Sequence, residues 1–190
     1  MEVICSMSII YNNKTLNNVT FNGVSLTKVI YNSVTVFNKT TSALVPVLTS
    51  DSSLVIKSSQ YSTLYAWKVF DGKSDTRWHQ AGGGQLTTAY IGYNFNVYKT
   101  VTKIYIMNSC DNEKSPHVFK LQGSNDLSTW NDIQTFTNTK SSTKGAETTF
   151  TVTYPKMYKA FRLYMDKSTL NSFKNDPNGV SLSKIQFYGY

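Results

Sequence analysis

Short segments of alternating apolar and polar residues recur along most of this chain, and they constrain its fold more than any other feature. In the segment YKAFRLYM, for example, Phe161, Leu163 and Met165 alternate with Arg162 and Tyr164. A period of two places successive side chains on opposite faces of a β-strand. Clusters of Gly, Asn, Asp and Pro separate the segments, as is typical of turns. The predicted strands are residues 54–57, 90–95, 101–107, 118–123, 148–154, 160–165 and 182–188.

These strands predict an all-β protein with an antiparallel β-sandwich over residues 52–190, because many short strands between turn clusters are typical of sandwiches. Of the 190 residues, 40% are hydrophobic, which is enough for the core of one full domain. No segment reaches the roughly 18 consecutive apolar residues that a membrane-spanning helix needs. We therefore expect no membrane insertion.

Residues 1–40 predict a smaller β-hairpin module. An aromatic residue followed by Asn recurs at a regular spacing, at Tyr11, Phe21 and Tyr31. Asn22-Gly23 is a strong signal for a two-residue hairpin turn, and Asn12-Asn13 and Asn32-Ser33 are weaker ones. A meander of this size has little interior of its own, so we expect it to pack on the second domain, on copies of itself or on a larger assembly. Residues 41–51 are predicted to be the linker between the two modules.

The charge of the chain does not indicate a nucleic-acid-binding protein. The formal net charge is +8, from 19 Lys and Arg against 11 Asp and Glu. These basic residues are mostly single lysines scattered over the predicted strands, without the clustered patch that nucleic acids require. They indicate solvated strand faces, with attraction to an anionic glycan as the alternative.

The sequence offers little material for catalysis. It contains two histidines and two cysteines, and Cys5 and Cys110 lie far apart. No Ser or Cys is arranged with a base, and no pair of carboxylates suggests an acid–base pocket. We therefore expect a protein that is not an enzyme.

The segment AWKVFDGKSDTRWH, residues 66–79, has the composition of a rigid binding loop. Asp71-Gly72 is a turn signal. Asp71, Asp75 and Thr76 supply closely spaced oxygen atoms, which are the ligands that Ca²⁺ prefers. Trp67 and Trp78 add apolar mass on either side. The pattern favours a platform for binding over a catalytic pocket.

Five motifs in a fixed order resemble the coagulation factor V/VIII type C, or discoidin, domain. They are AWKVFDGKSDTRWH, AYIGYNFNVYKTVTKIYI, FKLQGSNDLSTWNDI, YKAFRLYM and VSLSKIQFYGY. The resemblance covers about residues 50–190 and implies a galactose-binding-like jelly-roll sandwich. It also implies a non-catalytic binding module, most often for carbohydrate in bacterial and phage proteins and for lipid headgroups in animal blood proteins.

The resemblance implies a structural calcium ion next to the Asp-Gly turn, on Asp71, Asp75 and Thr76. The closing strand of the family usually supplies a Glu to this site, and here Lys184 occupies that position. An ammonium group would repel the cation, and it could instead neutralise Asp71 or Asp75 as an internal ion pair. A bound calcium ion and a lysine in its place are both open alternatives.

Sugar-binding members of that family commonly use a His after the loop Trp, a polar side chain from an early strand and residues of a later loop. They also need aromatic rings against which a sugar can stack. The residues at these positions are His79, Gln60, Asn112 and Lys114, with Tyr65 and Phe173 as the stacking candidates. The later loop lacks the family's Arg, which leaves the identity of the sugar open.

The N-terminal sequence MEVICSMSII has no basic region and no cleavage site, so no signal peptide is predicted. A glycan-binding fold normally works outside the cell, and a phage particle resolves this conflict because lysis releases it. We therefore predict a virion surface protein, either a capsid or collar decoration or a tail adhesin, that binds host-surface or mucus carbohydrate. Residues 1–40 would bind other virion proteins, and homo-oligomerisation is left open. The alternatives are an architectural virion cement protein without sugar binding and a carbohydrate-binding module of a secreted bacterial protein.

Overall fold

The computed structural model describes the chain as two compact units, Met1–Thr40 and Thr41–Tyr190. In the first unit it describes four strands between residues 19 and 38. In the second unit it describes residues 41–80, 87–111, 113–167, 170 and 179–190.

The first unit contains two antiparallel hairpins. β1 (Val19–Phe21) pairs with β2 (Val24–Leu26), and β3 (Lys28–Tyr31) pairs with β4 (Val34–Asn38). Phe21 is the register partner of Val24, and Tyr31 is the partner of Val34. The strands therefore flank the predicted turns Asn22-Gly23 and Asn32-Ser33. The hairpin predicted at Asn12-Asn13 lies outside the described residues.

The second unit is built from antiparallel strands and one short 3₁₀ helix. Its described strands are β5 (Ser42–Ala43), β6 (Val55–Lys57), β7 (Trp78–His79), β8 (Thr88–Asn108), β9 (Val118–Ser124), β10 (Asn131–Thr137), β11 (Glu147–Thr151), β12 (Met157–Asp166) and β13 (Ser181–Gly189). The 3₁₀ helix is Ala66–Phe70. Across the described residues, no helix has the length and apolar character needed to cross a membrane.

These strands form two layers that share the long strand β8. The first part of β8 pairs with β6 and β12, and β9 and β10 extend that layer beyond β12. The last part of β8 pairs with β11 and β13, and β13 also pairs with β5 and β7. Phe161 of β12 and Phe187 of β13 are fully buried, with ring centroids 6.4 Å apart. The predicted antiparallel β-sandwich is confirmed.

The predicted alternation is also confirmed in the core. On β12, Phe161, Leu163 and Met165 are fully buried, whereas Arg162 and Tyr164 are only half-buried. Each such apolar side chain contributes about 1.5–3 kcal/mol when it is removed from water. Burial of alternate residues on facing strands therefore holds the two layers together.

Residues 41–51 differ from the linker that the sequence predicts. Ala43 of β5 is the register partner of Tyr188, so the segment begins as an edge strand of the sandwich. The Val45 amide donates to Oε1 of Gln186 at 3.0 Å, and Nε2 of Gln186 donates back to the Val45 carbonyl at 2.9 Å. The physical reason is the apolar run of this segment, which covers the sheet and leaves Val45 3% exposed.

Candidate functional site

One end of the sandwich positions His79, the residue that follows the buried Trp78. The two residues form β7, which pairs with Ser181 and Leu182 at the beginning of β13. Trp78 is fully buried, and its Nε1 donates to the Ser59 carbonyl at 2.8 Å. Because neighbouring residues of a strand point to opposite faces, His79 lies on the other face and is half-buried. The indole ring thus anchors the two-residue strand that carries the half-buried His79.

Tyr61 and Gly179 lie against His79. The Tyr61 ring is edge-on to the imidazole, with centroids 6.0 Å apart, and the Tyr61 amide donates to the His79 carbonyl at 2.8 Å. Tyr61 is 58% exposed. A Cβ atom at Gly179 would lie 3.5 Å from Nε2 of His79, so the backbone passes close to the ring. Tyr61 was not predicted as a site residue, although it is adjacent to the predicted Gln60.

Lys114 lies at the same end of β13. The Ser181 amide donates to the Lys114 carbonyl at 2.8 Å, and Ser181 is the register partner of His79. The first residue of β13 therefore connects β7 with the loop of residues 109–117. The structure thus places the backbones of His79 and Lys114 on either side of Ser181, and their shared sugar contact stays a prediction.

A buried polar network fixes the loops around this end. Asn138 and Asn108 are essentially unexposed, and Nδ2 of Asn138 donates to Oδ1 of Asn108 at 2.9 Å. Nδ2 of Asn108 donates in turn to the carbonyls of Lys140 and Thr143. The Ser109 amide donates to the buried hydroxyl of Ser115 at 2.9 Å. Satisfied buried polar networks are rigid, so the bond between Ser109 and Ser115 fixes these two residues relative to each other.

Arg77 is the residue directly before β7. Its guanidinium forms an ion pair with Asp111, in the loop that carries Lys114. Cys110 adds a weak contact, because its Sγ lies 3.9 Å from the Thr76 carbonyl. Neither partner of the ion pair was predicted as a site residue. Opposite charges that are distant in sequence give no signal that they pair.

Gln60 and Tyr65 lie on the segment that leads into the 3₁₀ helix. Oε1 of Gln60 accepts the Ala66 amide at 3.0 Å, so this side chain caps the first residue of the helix. Tyr65 is 37% exposed, and Nζ of Lys68 lies 5.6 Å from its ring centroid. Gln60 therefore has a structural contact in addition to its predicted role. The other two predicted contacts, Asn112 and Phe173, lie outside the described residues.

Comparison with models of known protein families identifies the family of this chain. The F5/8 type C domain model matches residues 49–182. The chain belongs to this family. No curated protein matches its sequence.

Solved structures similar to this F5/8 type C domain share its fold. The chitosan-binding module 1 of a chitosanase/glucanase from Paenibacillus sp. IK-5 is 24% identical, with a TM-score of 0.55 over 71% of this chain and 93% of the module. The family 32 CBM of NanJ from C. perfringens, in complex with galactose, is 15% identical, with a TM-score of 0.56 over 70% and 91%. The C-terminal domain of a chitobiase from Bacteroides fragilis is 16% identical, with a TM-score of 0.58 over 78% and 98%.

The loop predicted to bind calcium is closed by its own hydrogen bonds. Asp71 is 7% exposed, its Oδ1 accepts the Lys73 amide at 2.8 Å, and its Oδ2 accepts the Thr76 hydroxyl at 2.7 Å. Asp75 is exposed. Calcium takes about six to eight oxygen ligands, and the described part of the chain contains no group of three His, Cys, Asp or Glu that could hold a metal. Asp71 and Thr76 thus bond each other, and calcium binding at this turn stays a prediction.

Lys184 does not take the place of the ion in the expected way. Among the described residues, the ion pairs are Lys57–Asp51, Arg77–Asp111 and Lys120–Asp132. The expected pairing of Lys184 with Asp71 or Asp75 is therefore absent from this part of the chain. Asp71 instead accepts the Lys73 amide and the Thr76 hydroxyl, and Asp75 is exposed to solvent.

Proposed function

We propose that this protein is a non-catalytic, carbohydrate-binding protein of a phage virion surface, either a capsid or collar decoration or a tail adhesin. The observation that carries the sugar-binding part is the contact between the exposed Tyr61 ring and the His79 imidazole, with the Lys114 backbone bonded to Ser181, the register partner of His79. Imidazole and ammonium groups can hydrogen-bond sugar hydroxyls, and an exposed tyrosine ring can pack against the C–H face of a sugar. The buried hydrogen-bond network behind the loops favours binding, because residues that are already ordered lose less conformational entropy in the complex.

The family and the similar structures support carbohydrate as the ligand class. The NanJ module was solved with galactose, and the Paenibacillus module is described as chitosan-binding. This chain has the same fold at 15% and 24% identity, so the particular sugar does not carry over. We propose host-surface polysaccharide or mucus glycan as the ligand. Many copies on one particle would add their weak affinities through avidity.

The proposed role of residues 1–40 is attachment to other virion proteins. The described part of this unit contains two hairpins whose strands are three to five residues long. Isolated two-stranded hairpins are marginally stable in water. Binding to a larger protein assembly would supply the buried area that such hairpins lack.

A glycan array with the full chain tests the sugar-binding part. We expect wild type to bind a subset of host polysaccharides or mucins, and His79→Ala and Tyr61→Ala to weaken binding roughly tenfold or more. Tyr154→Ala is the matched control, because Tyr154 is also an exposed tyrosine, at 79%. Tyr154 lies near Met157 in the sequence. Met157 is the register partner of Thr100, and the Thr100 amide donates to the Tyr190 carbonyl at the other end of β13.

Two results would overturn the proposal. Silence of the wild-type chain on all host polysaccharides and mucins would favour an architectural virion cement protein. Normal sugar binding by a protein that never associates with virions would favour a carbohydrate-binding module of a secreted bacterial protein.

Deletion of residues 1–40 tests the attachment role. Residues 41–190 form a separate compact unit, so the truncated protein should fold and bind sugar like the full chain. It should no longer copurify with phage particles. Normal incorporation of the truncated protein would contradict the proposed role of the first unit.

A further inference from the structure

The ion pair between Arg77 and Asp111 lies beside the proposed sugar contacts and has no part in the core. Arg77 is the residue before β7, and Trp78 separates it from His79 in the sequence. Asp111 belongs to the loop that carries Lys114. The pair therefore connects the two chain segments that supply His79 and Lys114.

The Arg77 guanidinium is held by its ion pair, but not all of its N–H donors have an acceptor. Its Nη1 bonds Asp111, which is the partner of Arg77 among the described residues, and its buried Nε has no acceptor there. A guanidinium has five N–H donors, and a purely structural one normally has most of them satisfied. The Arg77 side chain is 19% exposed and the Asp111 side chain is 52% exposed. The pair is thus fixed in position and open to solvent on the Asp111 side.

We propose that Arg77 and Asp111 are specificity-determining residues that bind two neighbouring hydroxyl groups of an uncharged sugar. This inference rests on the proposed function of the site. The guanidinium donates to one hydroxyl oxygen, and the carboxylate accepts a hydrogen bond from the other hydroxyl. This supplies, from the residue before β7, the planar donor that the later loop lacks. Because Asp111 neutralises Arg77 and would repel a carboxylate, the pair selects against sugars that carry one.

The test compares Arg77→Lys and Asp111→Asn with wild type, using the full chain on an array of neutral and uronic-acid glycans. Arg77→Lys keeps the charge but loses the planar fork, so binding of neutral sugars should fall at least about tenfold. Asp111→Asn removes the negative charge and should shift the array profile towards carboxylated glycans. Asp132→Asn is the matched control, because Asp132 pairs with Lys120 on another part of the sandwich and has nearly the same side-chain exposure, 51%. It should leave the profile unchanged.

The selectivity readout distinguishes this role from a structural one. If Asp111→Asn weakens every sugar equally, or lowers only the melting temperature, the pair merely anchors the loop and the inference is wrong. A wild-type preference for carboxylated sugars would also overturn it, while leaving the sugar-binding function intact. Silence of wild type would instead refute the proposed function itself. If Arg77→Lys does not fold, Asp111→Asn carries the test, because Asp111 is half exposed.

Discussion

Arg162 illustrates how much of a residue's environment alternation can predict. The pattern of YKAFRLYM puts Arg162 outside the core, and in the structure its guanidinium lies 4.0 Å from the Trp130 ring centroid and 4.6 Å from that of Tyr90. Its Nε donates to Gln122 at 2.8 Å. Partial burial lowers the pKa of Arg162, and stacking on aromatic rings compensates for lost hydration. These partners come from three other segments, so the sequence around Arg162 could not identify them.

Asp126 gives a prediction for acid stability. Its Oδ1 accepts the amides of Thr129 and Ser128, at 2.7 Å and 2.9 Å, and these bonds hold the pKa of the carboxyl well below its ordinary value of 3.8. A lowered folded-state pKa stabilises the protein above the unfolded-state pKa, and this contribution is lost as the pH falls. Asp126→Asn should therefore lower the melting temperature at pH 7 and approach wild type as the pH falls from about 5 to 2. A constant difference across this range would contradict the assignment.

Asp132 should contribute to acid sensitivity in the same direction. Burial opposes its ionisation, but hydrogen bonds from Lys120 and Gln122 and the charges of Lys120 and Arg162 lower the pKa overall. Its stabilisation is likewise present above the unfolded-state pKa and lost in acid. Both carboxylates belong to the layer of β9 and β10 or the loop between them.

Metal removal tests the closed Asp71 turn. Because the Lys73 amide and the Thr76 hydroxyl satisfy both oxygens of Asp71, EDTA should leave the melting temperature unchanged. Thr76→Val should lower the stability by about 1–2 kcal/mol, because it leaves a buried carboxylate oxygen without its donor. A large drop on adding EDTA, reversed by excess calcium, would show that this turn binds the ion after all.

At the scale of single elements, β8 is the strand that differs most from prediction. The sequence predicts separate strands at 90–95 and 101–107, whereas the structure has one strand, Thr88–Asn108. The two predicted parts belong to different layers, and a register shift opposite Tyr158 and Ala160 lies between them. Asn96 has a φ of +57°, which Asn tolerates better than most residues. The alternation breaks at this bulge, which is why the pattern indicates two strands.

Gly92 tests how closely β8 approaches β12. A Cβ atom at this position would lie 2.1 Å from the Phe161 carbonyl oxygen. Gly92→Ala should therefore destabilise the protein by about 3 kcal/mol, because the clash is with backbone and cannot be relieved by a rotamer change. Gly179→Ala is the control, since its Cβ would meet His79 at an ordinary 3.5 Å. Chemical denaturation measures both, and equal stabilities would contradict the described packing.

The short strands show where prediction from sequence stops. β10 is absent from the predicted strands, and Phe136 is its one buried residue, so its alternation is weak. β5 and β7 have two residues each, and their pairing with β13 defines them. Period-two patterns therefore predict the strands that bury one face. Strands that are defined only by pairing with a neighbouring strand can be recognised only in the three-dimensional structure.

At the scale of the whole molecule, the sandwich places its functional candidates at one end. His79 was predictable because it follows a buried Trp in a recognisable motif. The family's order of motifs also predicted that the segment of Lys114 belongs to this end, and its backbone bonds Ser181 there. The pairing of Arg77 with Asp111 depends on the path of two loops and was not predictable. Sequence therefore predicts the position of the proposed site, and the structure adds the neighbouring ion pair as a further candidate.

The most direct test of the account is to map the binding surface of the full chain by NMR. An isotope-labelled sample would be titrated with oligosaccharide fragments of the polysaccharide selected on the array. We predict that chemical shifts change at the amides of residues 60–65, 77–79, 109–116 and 179–181. The amides of residues 94–100 and 154–157, at the other end of β13, should not move. Changes confined to that other end, or to the outer face around Arg162, would contradict the account.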